Sequence, residues 1–169
     1  MISSICRFNK GYEVGSKYYI DGSHEEGMIQ YLRVGDLLSL GSTFLKPLPD
    51  LPLCRFDDIL IAFDGAPGRN TFGLEGTYSS GIYKVICDKK YKGFVFFELN
   101  SELNKTIIKD HSQGTTILHA GKAIQYLECC VAKEDEIIKL KDIFNLMVAN
   151  KKKSRILNGI KNKLLAKYF

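Results

Sequence analysis

The chain has 169 residues, 45% of them hydrophobic, 25% charged and 11% aromatic. That allows one domain, or one domain with an appendage, and excludes global disorder, collagen-like repeats and a disulfide miniprotein. The net charge of +5 is uneven: residues 151–169 hold seven lysines and arginines and no acid, which leaves 17 basic and 19 acidic residues in the first 150.

In chain order, residues 4–20 read as a short strand, turns at Gly11 and at Gly15-Ser16, and an aromatic pair, Tyr18-Tyr19. Residues 21–27 are a loop by composition. Residues 28–32 form a strand that ends in Arg33-Val34-Gly35-Asp36. Residues 41–56 carry Pro47, Pro49 and Pro52, which points to an extended loop. Ile59-Leu60-Ile61-Ala62-Phe63 is a continuous apolar run of strand length, rich in β-branched residues, and is expected to be buried. Ala66-Pro67-Gly68-Arg69-Asn70 is a loop, and residues 81–88 are a further strand. Phe94, Phe97, Leu99, Leu103, Ile107 and Ile108 place a helix over 94–109. A short helix near 120–123 and a strand near 125–131 complete the body.

Residues 133 to about 167 read as one long helix or two in series. Ile137, Leu140, Phe144, Met147 and Val148 make one stripe; Leu157, Ile160 and Leu164 make another. The phase slips across 150–154, as in a stutter or a kink. At ~1.5 Å per residue the segment spans about 52 Å. It can fold back over the sheet, or leave the body to pair with another helix.

Chemistry-bearing motifs are sparse. The five cysteines, Cys6, Cys54, Cys87, Cys129 and Cys130, contain no C-x-x-C pair and suit reduced thiols. His24, His111 and His119 are scattered, so no metal site is expected. The 64–70 loop lacks the lysine and serine or threonine of a phosphate loop and has Pro67 in its middle. Its Arg69 and Asn70 are of the types that pair with guanine and adenine edges, although surface solvation also accounts for them. Asp88 and Lys90, with Asp58 or Asp64 upstream, loosely match the spacing of a metal-dependent nuclease, in which two carboxylates hold Mg²⁺ and a lysine helps to activate water. A polar turn ending a strand explains Asp88-Lys89-Lys90 equally well. No Ser-His-acid order, methyltransferase motif or cofactor fingerprint is present, so neither catalysis nor a cofactor is expected of the chain itself. The basic tail suits nucleic acid, an acidic partner, a membrane surface or simply a solvated helix face. No apolar run reaches the ~18 residues of a membrane span. Residues 1–10 lack a signal peptide's apolar stretch, so a cytoplasmic location without membrane contact is expected.

The order of segments resembles half of a type I restriction-modification specificity subunit. Cys6-Arg7-Phe8-Asn9-Lys10-Gly11 and Ser16-Lys17-Tyr18-Tyr19 resemble that family's opening strand and aromatic pair. Ile29-Gln30-Tyr31-Leu32-Arg33-Val34-Gly35-Asp36-Leu37 is similar to its second strand and Gly-Asp turn. Asp57-Asp58-Ile59-Leu60-Ile61-Ala62-Phe63-Asp64-Gly65, with Pro67-Gly68, resembles its central strand and loop. Gly114-Thr115-Thr116-Ile117-Leu118-His119 resembles its Gly-Ser-Thr segment, and Lys163-Leu164-Leu165-Ala166-Lys167-Tyr168-Phe169 the end of its conserved helix. The family's proline-rich strand and Glu-Gln pair before the helix are replaced here by Glu128-Cys129-Cys130-Val131-Ala132-Lys133-Glu134-Asp135-Glu136.

The resemblance implies an α+β fold: a small mixed or antiparallel sheet recognition domain at 1–132, then a long C-terminal helix at 133–169 that forms a coiled coil. It implies a non-catalytic module that binds double-stranded DNA and reads one half of a bipartite target. Its partners would be methyltransferase subunits, which bring S-adenosylmethionine, and through them the restriction subunit. A metal-dependent nuclease and a non-DNA oligomeric scaffold are the alternatives. Candidate DNA contacts are Arg33, Lys46, Arg69, Asn70, Lys105, His111, Gln113 and Thr115, all in or beside expected loops. One chain supplies one recognition domain, so a homodimer is expected, antiparallel and built on Ile137, Leu140, Phe144, Met147, Leu157, Ile160 and Leu164. Removing 133–169 is then expected to leave a folded body that no longer associates.

Overall fold

The computed structural model describes residues 1–22, 25–115 and 117–168. His24, Thr116 and Phe169, named above, lie outside the described residues. Among the described residues, nine short strands form two sheets. The first has the order β1 (Cys6–Lys10), β9 (Ile82–Cys87), β6 (Leu60–Ala62), β7 (Asn70–Thr71), all antiparallel. The second has the order β2 (Ile20–Asp21), β4 (Thr43–Leu45), β3 (Ile29–Leu32), β8 (Gly76–Tyr78), β5 (Leu53–Cys54), with β3 and β8 parallel. Three helices follow: α1 (Lys92–Leu99), α2 (Glu102–Asp110) and α3 (Glu134–Tyr168).

The apolar run at 59–63 is the central strand β6 with its two flanking residues, and all five residues are fully buried. Its lack of alternation has a direct cause. Ile59, Ile61 and Phe63 face the core shared with the helices, while Leu60 and Ala62 face Leu32, Tyr78 and Ile82 of a second core. A strand covered on both faces reads as unbroken hydrophobicity. The expected strands at 28–32 and 81–88 are β3 and β9.

Four local expectations change. The 41–56 loop contains β4 and β5, which exist through pairing with β2, β3 and β8. The helix expected over 94–109 is two helices, because Ser101 is extended and its hydroxyl accepts from the Asn104 backbone N–H at 3.3 Å, restarting the chain as α2. The short helix near 120–123 is a 3-10 turn, Gly121–Tyr126. Residues 127–132 form no strand. Their backbone is held by Ile2, whose N–H donates to the Leu127 carbonyl, and by buried Asn104, which binds both the N–H and C=O of Glu128 at 2.9 and 2.8 Å.

The larger correction concerns α3, a single unbroken helix. Phe144 is 1% exposed and sits in the main core, with its ring 5.0 Å from Phe72 and 5.2 Å from Phe96. Met147 and Val148 pack against the same cluster. Ile137 and Leu140 are half-buried. The first stripe therefore packs on the chain's own body through Phe144, Met147 and Val148, with Ile137 and Leu140 at its margin. The seat is tight: a Cβ on Gly93 of α1 would lie 2.2 Å from the Leu140 carbonyl oxygen of α3. Gly93→Ala must push the helices apart and is expected to destabilise the fold by about 1–3 kcal/mol, measured by chemical denaturation.

The phase slip at 150–154 is neither a kink nor a stutter. It is where the helix changes the face that needs cover. Leu157, Ile160 and Leu164 lie on the side opposite Phe144 at 100° per residue and continue a 3–4 spacing that begins at Ile143 and Leu146. These five side chains are 46–65% exposed.

Candidate functional site

Three connections converge at the end of the sheets where β3 and β6 finish. The first is Arg33 with the turn Val34–Leu37, whose Asp36 carboxylate caps the Arg33 N–H at 2.6 Å. The second is the 64–69 loop, closed by left-handed Gly65 and Gly68, where a side chain would be strained. The third is formed by residues 112–115 and 117–119. It is tied to the second by Gly65 N–H donating to the Leu118 carbonyl at 2.8 Å, and by Ala120 N–H donating to the Phe63 carbonyl at 2.7 Å.

Arg33, Arg69, Gln113 and Thr115 lie on these connections. The Arg33 guanidinium donates to Thr43 Oγ1 at 3.1 Å, and that of Arg69 reaches the Val34 carbonyl at 3.4 Å. Gln113 pairs with His119 through both backbone groups, and Thr115 is exposed at the tip. His111 stands beside them at the end of α2. Its Nδ1 is 2.9 Å from the Ile107 carbonyl, which can only accept, so that nitrogen carries the proton. The ring stacks on Tyr126 at 4.2 Å.

The other three candidates are placed differently. Lys46 follows β4, and the pairing of Leu45 with Ile29 puts it at the opposite end of the ladder from Arg33. Lys105 lies on α2, ion-paired to Glu102 at 2.8 Å. Asn70 is already engaged: it exchanges amide hydrogen bonds with Asn100 at 3.2 and 3.0 Å and also donates to the Gly68 carbonyl. Its side chain joins β7 to the end of α1, and both of its N–H donors are taken, so it cannot make the paired amide contact with a base edge. Asn70→Ala is expected to cost about 1–3 kcal/mol of stability rather than one position of sequence preference, read by denaturation beside DNA binding.

A polar constellation at this end escaped the sequence reading. His119 Nδ1 is 2.8 Å from Asp64 Oδ1, and Lys10 Nζ is 3.9 Å from Asp64 Oδ2. The carboxylate fixes the proton on Nδ1 and leaves Nε2 for solvent or a ligand, on a side chain 63% exposed. One acid thus holds two potential phosphate or base contacts at the mouth of the loops. Asp64 and His119 are 55 residues apart, and although each was singled out in the sequence, nothing there paired them.

The nuclease arrangement with Asp64 does not form, and the alternative carboxylate, Asp58, is bound instead by the Arg55 N–H at 2.9 Å and by Lys92 at 3.3 Å. Asp64 adjoins Gly81 at one end of β9, and Asp88 follows the other end, six residues or about 20 Å away. Asp88 instead caps a turn by accepting from the Lys90 N–H at 2.8 Å. Among the described residues no group of three or more histidine, cysteine or acidic side chains could hold a metal ion. Burial pushes the Cys6 and Cys54 thiols up to about 12, the wrong direction for nucleophiles. No helix among the described residues is long and apolar enough to cross a membrane.

No protein-family description matches the sequence, and no curated protein matches it. Solved structures do match. The chain is similar to a type I restriction-modification system S subunit from M. genitalium, with 18% identity, a TM-score of 0.67, and coverage of 99% of this chain and 43% of that one. It is also similar to an HsdS subunit from Thermoanaerobacter tengcongensis, with 15% identity, a TM-score of 0.54, and 90% and 38% coverage. A third is a chain from a structure of type I system assembly and conformational transition, with 14% identity, a TM-score of 0.52, and 97% and 42% coverage. The chain therefore has, over nearly its whole length, the fold of about two fifths of a type I specificity subunit.

Proposed function

We propose that the chain is a sequence-specific DNA-binding module of a type I restriction-modification system, without chemistry of its own. It would read one half of a bipartite target. The observation that carries this reading is the likeness to specificity subunits over 99% of the chain, recognition body and long helix together. The loop end supports it. Arg33, Arg69, Gln113, Thr115, His119 and Lys10 bring both phosphate-binding and base-edge donors to one end of the sheets. Replacing a residue that reads a base costs about 1–3 kcal/mol and relaxes one position of the site, whereas loss of a phosphate contact weakens all sequences alike and flattens the salt dependence.

The chain acts as a homodimer, paired antiparallel through Ile143, Leu146, Leu157, Ile160 and Leu164. Matching Ile143 with Leu164 sets the basic ends of the helices, Lys161 to Lys167, beside residues 140–146 of the partner, where the acid is Asp142. Equal domains read equal half-sites, so the target is an interrupted palindrome. The same helices dock methyltransferase subunits, and through them the restriction subunit, in the cytoplasm. Glu136 is a poor probe of this register, because its carboxylate accepts from the Lys133 N–H at 2.8 Å and helps to start its own helix. Charge reversal at Lys161 and Lys163, which touches no such cap, is the better test.

Selection on random duplex DNA, with and without a type I methyltransferase subunit, decides the reading. Enrichment of two inverted half-sites at fixed separation is the expected result. Binding without sequence preference would leave the scaffold alternative.

A further inference from the structure

Beyond Phe144 the helix keeps one more hold on the body. Lys151 extends across β7: its ammonium donates to the Phe72 carbonyl and to Thr71 Oγ1, the latter at 3.2 Å, and lies over the Phe72 ring at 4.9 Å. The lysine stem has room because residue 73 is glycine. A Cβ there would lie 2.6 Å from Lys151 Cδ, and the φ of +83° already disfavours any side chain. One turn later Arg155 donates to Glu75 Oε2 at 2.7 Å and stands 5.7 Å from the Phe56 ring. Burial beside Phe72 draws the Lys151 ammonium below its usual value, as expected for a cation committed to this seat. Past Arg155 every described residue of the helix is exposed. Residues 156–168 are thus a free arm of about 20 Å, and its direction is fixed where it leaves the body.

We propose that Lys151 and Arg155, received by Phe72, Gly73 and Glu75, form a clamp that sets the exit angle of the arm and makes these residues positioning residues for the separation of the two half-sites. The inference rests on the DNA-reading, dimeric function proposed above. The lever is sensitive. A swing of about 10° moves the end of a 20 Å arm by about 3.4 Å, one base-pair step along a strand. A dimer that demands one spacing must hold the angle more tightly than that. Neither side chain lies at the loop end that carries the DNA-contact candidates, so the clamp acts on spacing and not on half-site sequence.

The test uses the full chain and three forms: wild type, K151M/R155E, and the charge-swapped E75R/R155E. Two readouts are taken. Electron-electron distances are measured between spin labels at K122C and N162C, in labelled chains diluted with unlabelled ones, on a C87S/C129S/C130S background. Spacer preference is measured by selection on half-sites separated by random lengths. The expected result for K151M/R155E is a broadened body-to-arm distance distribution and acceptance of neighbouring spacer lengths, with the half-site sequence unchanged. E75R/R155E is expected to recover narrow distances and much of the spacer preference. Wild-type distances in K151M/R155E would overturn the clamp, and broadened distances with an unchanged spacer preference would overturn its role in spacing. If the wild type binds no spaced site while the distances still respond, the DNA reading fails and the mechanical clamp stands.

Discussion

A chain ending at residue 132 is expected not to fold, and Phe144→Ala in the full chain is expected to lower the unfolding free energy by about 3–5 kcal/mol. The reason is the position of Phe144 between Phe72 and Phe96, under the same core as Ile59, Ile61 and Phe63. Its removal leaves a cavity walled by a strand, a loop and a helix that cannot all close on it. Truncation goes further, exposing Val95, Leu99 and Phe72 and unseating Gly93. The loss is large beside the 5–15 kcal/mol of a typical domain. Ending the chain after residue 155 instead removes only exposed side chains and, at a concentration too low for pairing, is expected to leave the melting transition nearly unchanged. Denaturation of the three forms, followed by circular dichroism, checks this. A cooperative transition in the 1–132 chain would show that the helix is an appendage after all.

This is also where the sequence and the structure part. Ile59-Leu60-Ile61-Ala62-Phe63 was legible because a strand buried on both faces carries its whole signal locally. The length and helicity of 134–168 were legible for the same reason. The role of its apolar residues was not. A stripe shows which face wants cover but not what covers it, so the body-facing residues Ile137, Leu140, Phe144 and Met147 were grouped with the outward-facing Leu157, Ile160 and Leu164. The change of phase between them was visible, and its meaning depended on where the body ends.

The break between α1 and α2 was hidden because the apolar spacing runs through it and the Ser101 cap is a single hydrogen bond. The strands β4 and β5 have three and two residues among prolines, and only their neighbours define them. At the candidate site, the loop position of Arg33, Arg69, Gln113 and Thr115 was legible, and the meeting of their connections at one end of the sheets was not. The engagement of Asn70 was hidden because its partner, Asn100, is 30 residues away. The Asp64–His119 pair spans 55 residues and appears only when two loops close on each other.

The opposite face of α3 gives the second large expected effect. L157E/I160E is expected to turn a dimer into a monomer and to weaken binding to the interrupted palindrome by about 10²–10⁴-fold, while binding to a single half-site is unchanged. These two side chains are 65% and 51% exposed and lie among the arm residues beyond the clamp. Their replacement should therefore leave the chain's own stability within about 0.5 kcal/mol, the usual range for surface positions. Phe144→Ala must behave in the opposite way, losing stability with no direct effect on pairing. The two faces of one helix are thus separable by experiment. In a heptad reading, Ile143, Leu146, Leu157, Ile160 and Leu164 fall on one seam, with Asn150 and Lys153 interrupting it. A buried polar residue in such a seam fixes register at a cost in affinity, so Asn150→Leu should tighten the dimer and loosen its choice of register. Light scattering at micromolar concentration reads the first change, and titration of one-half-site and two-half-site duplexes reads the second. A wild-type chain that is monomeric at high concentration would sink the pairing. The exposed stripe would then have to be covered by a second specificity half or by the methyltransferase.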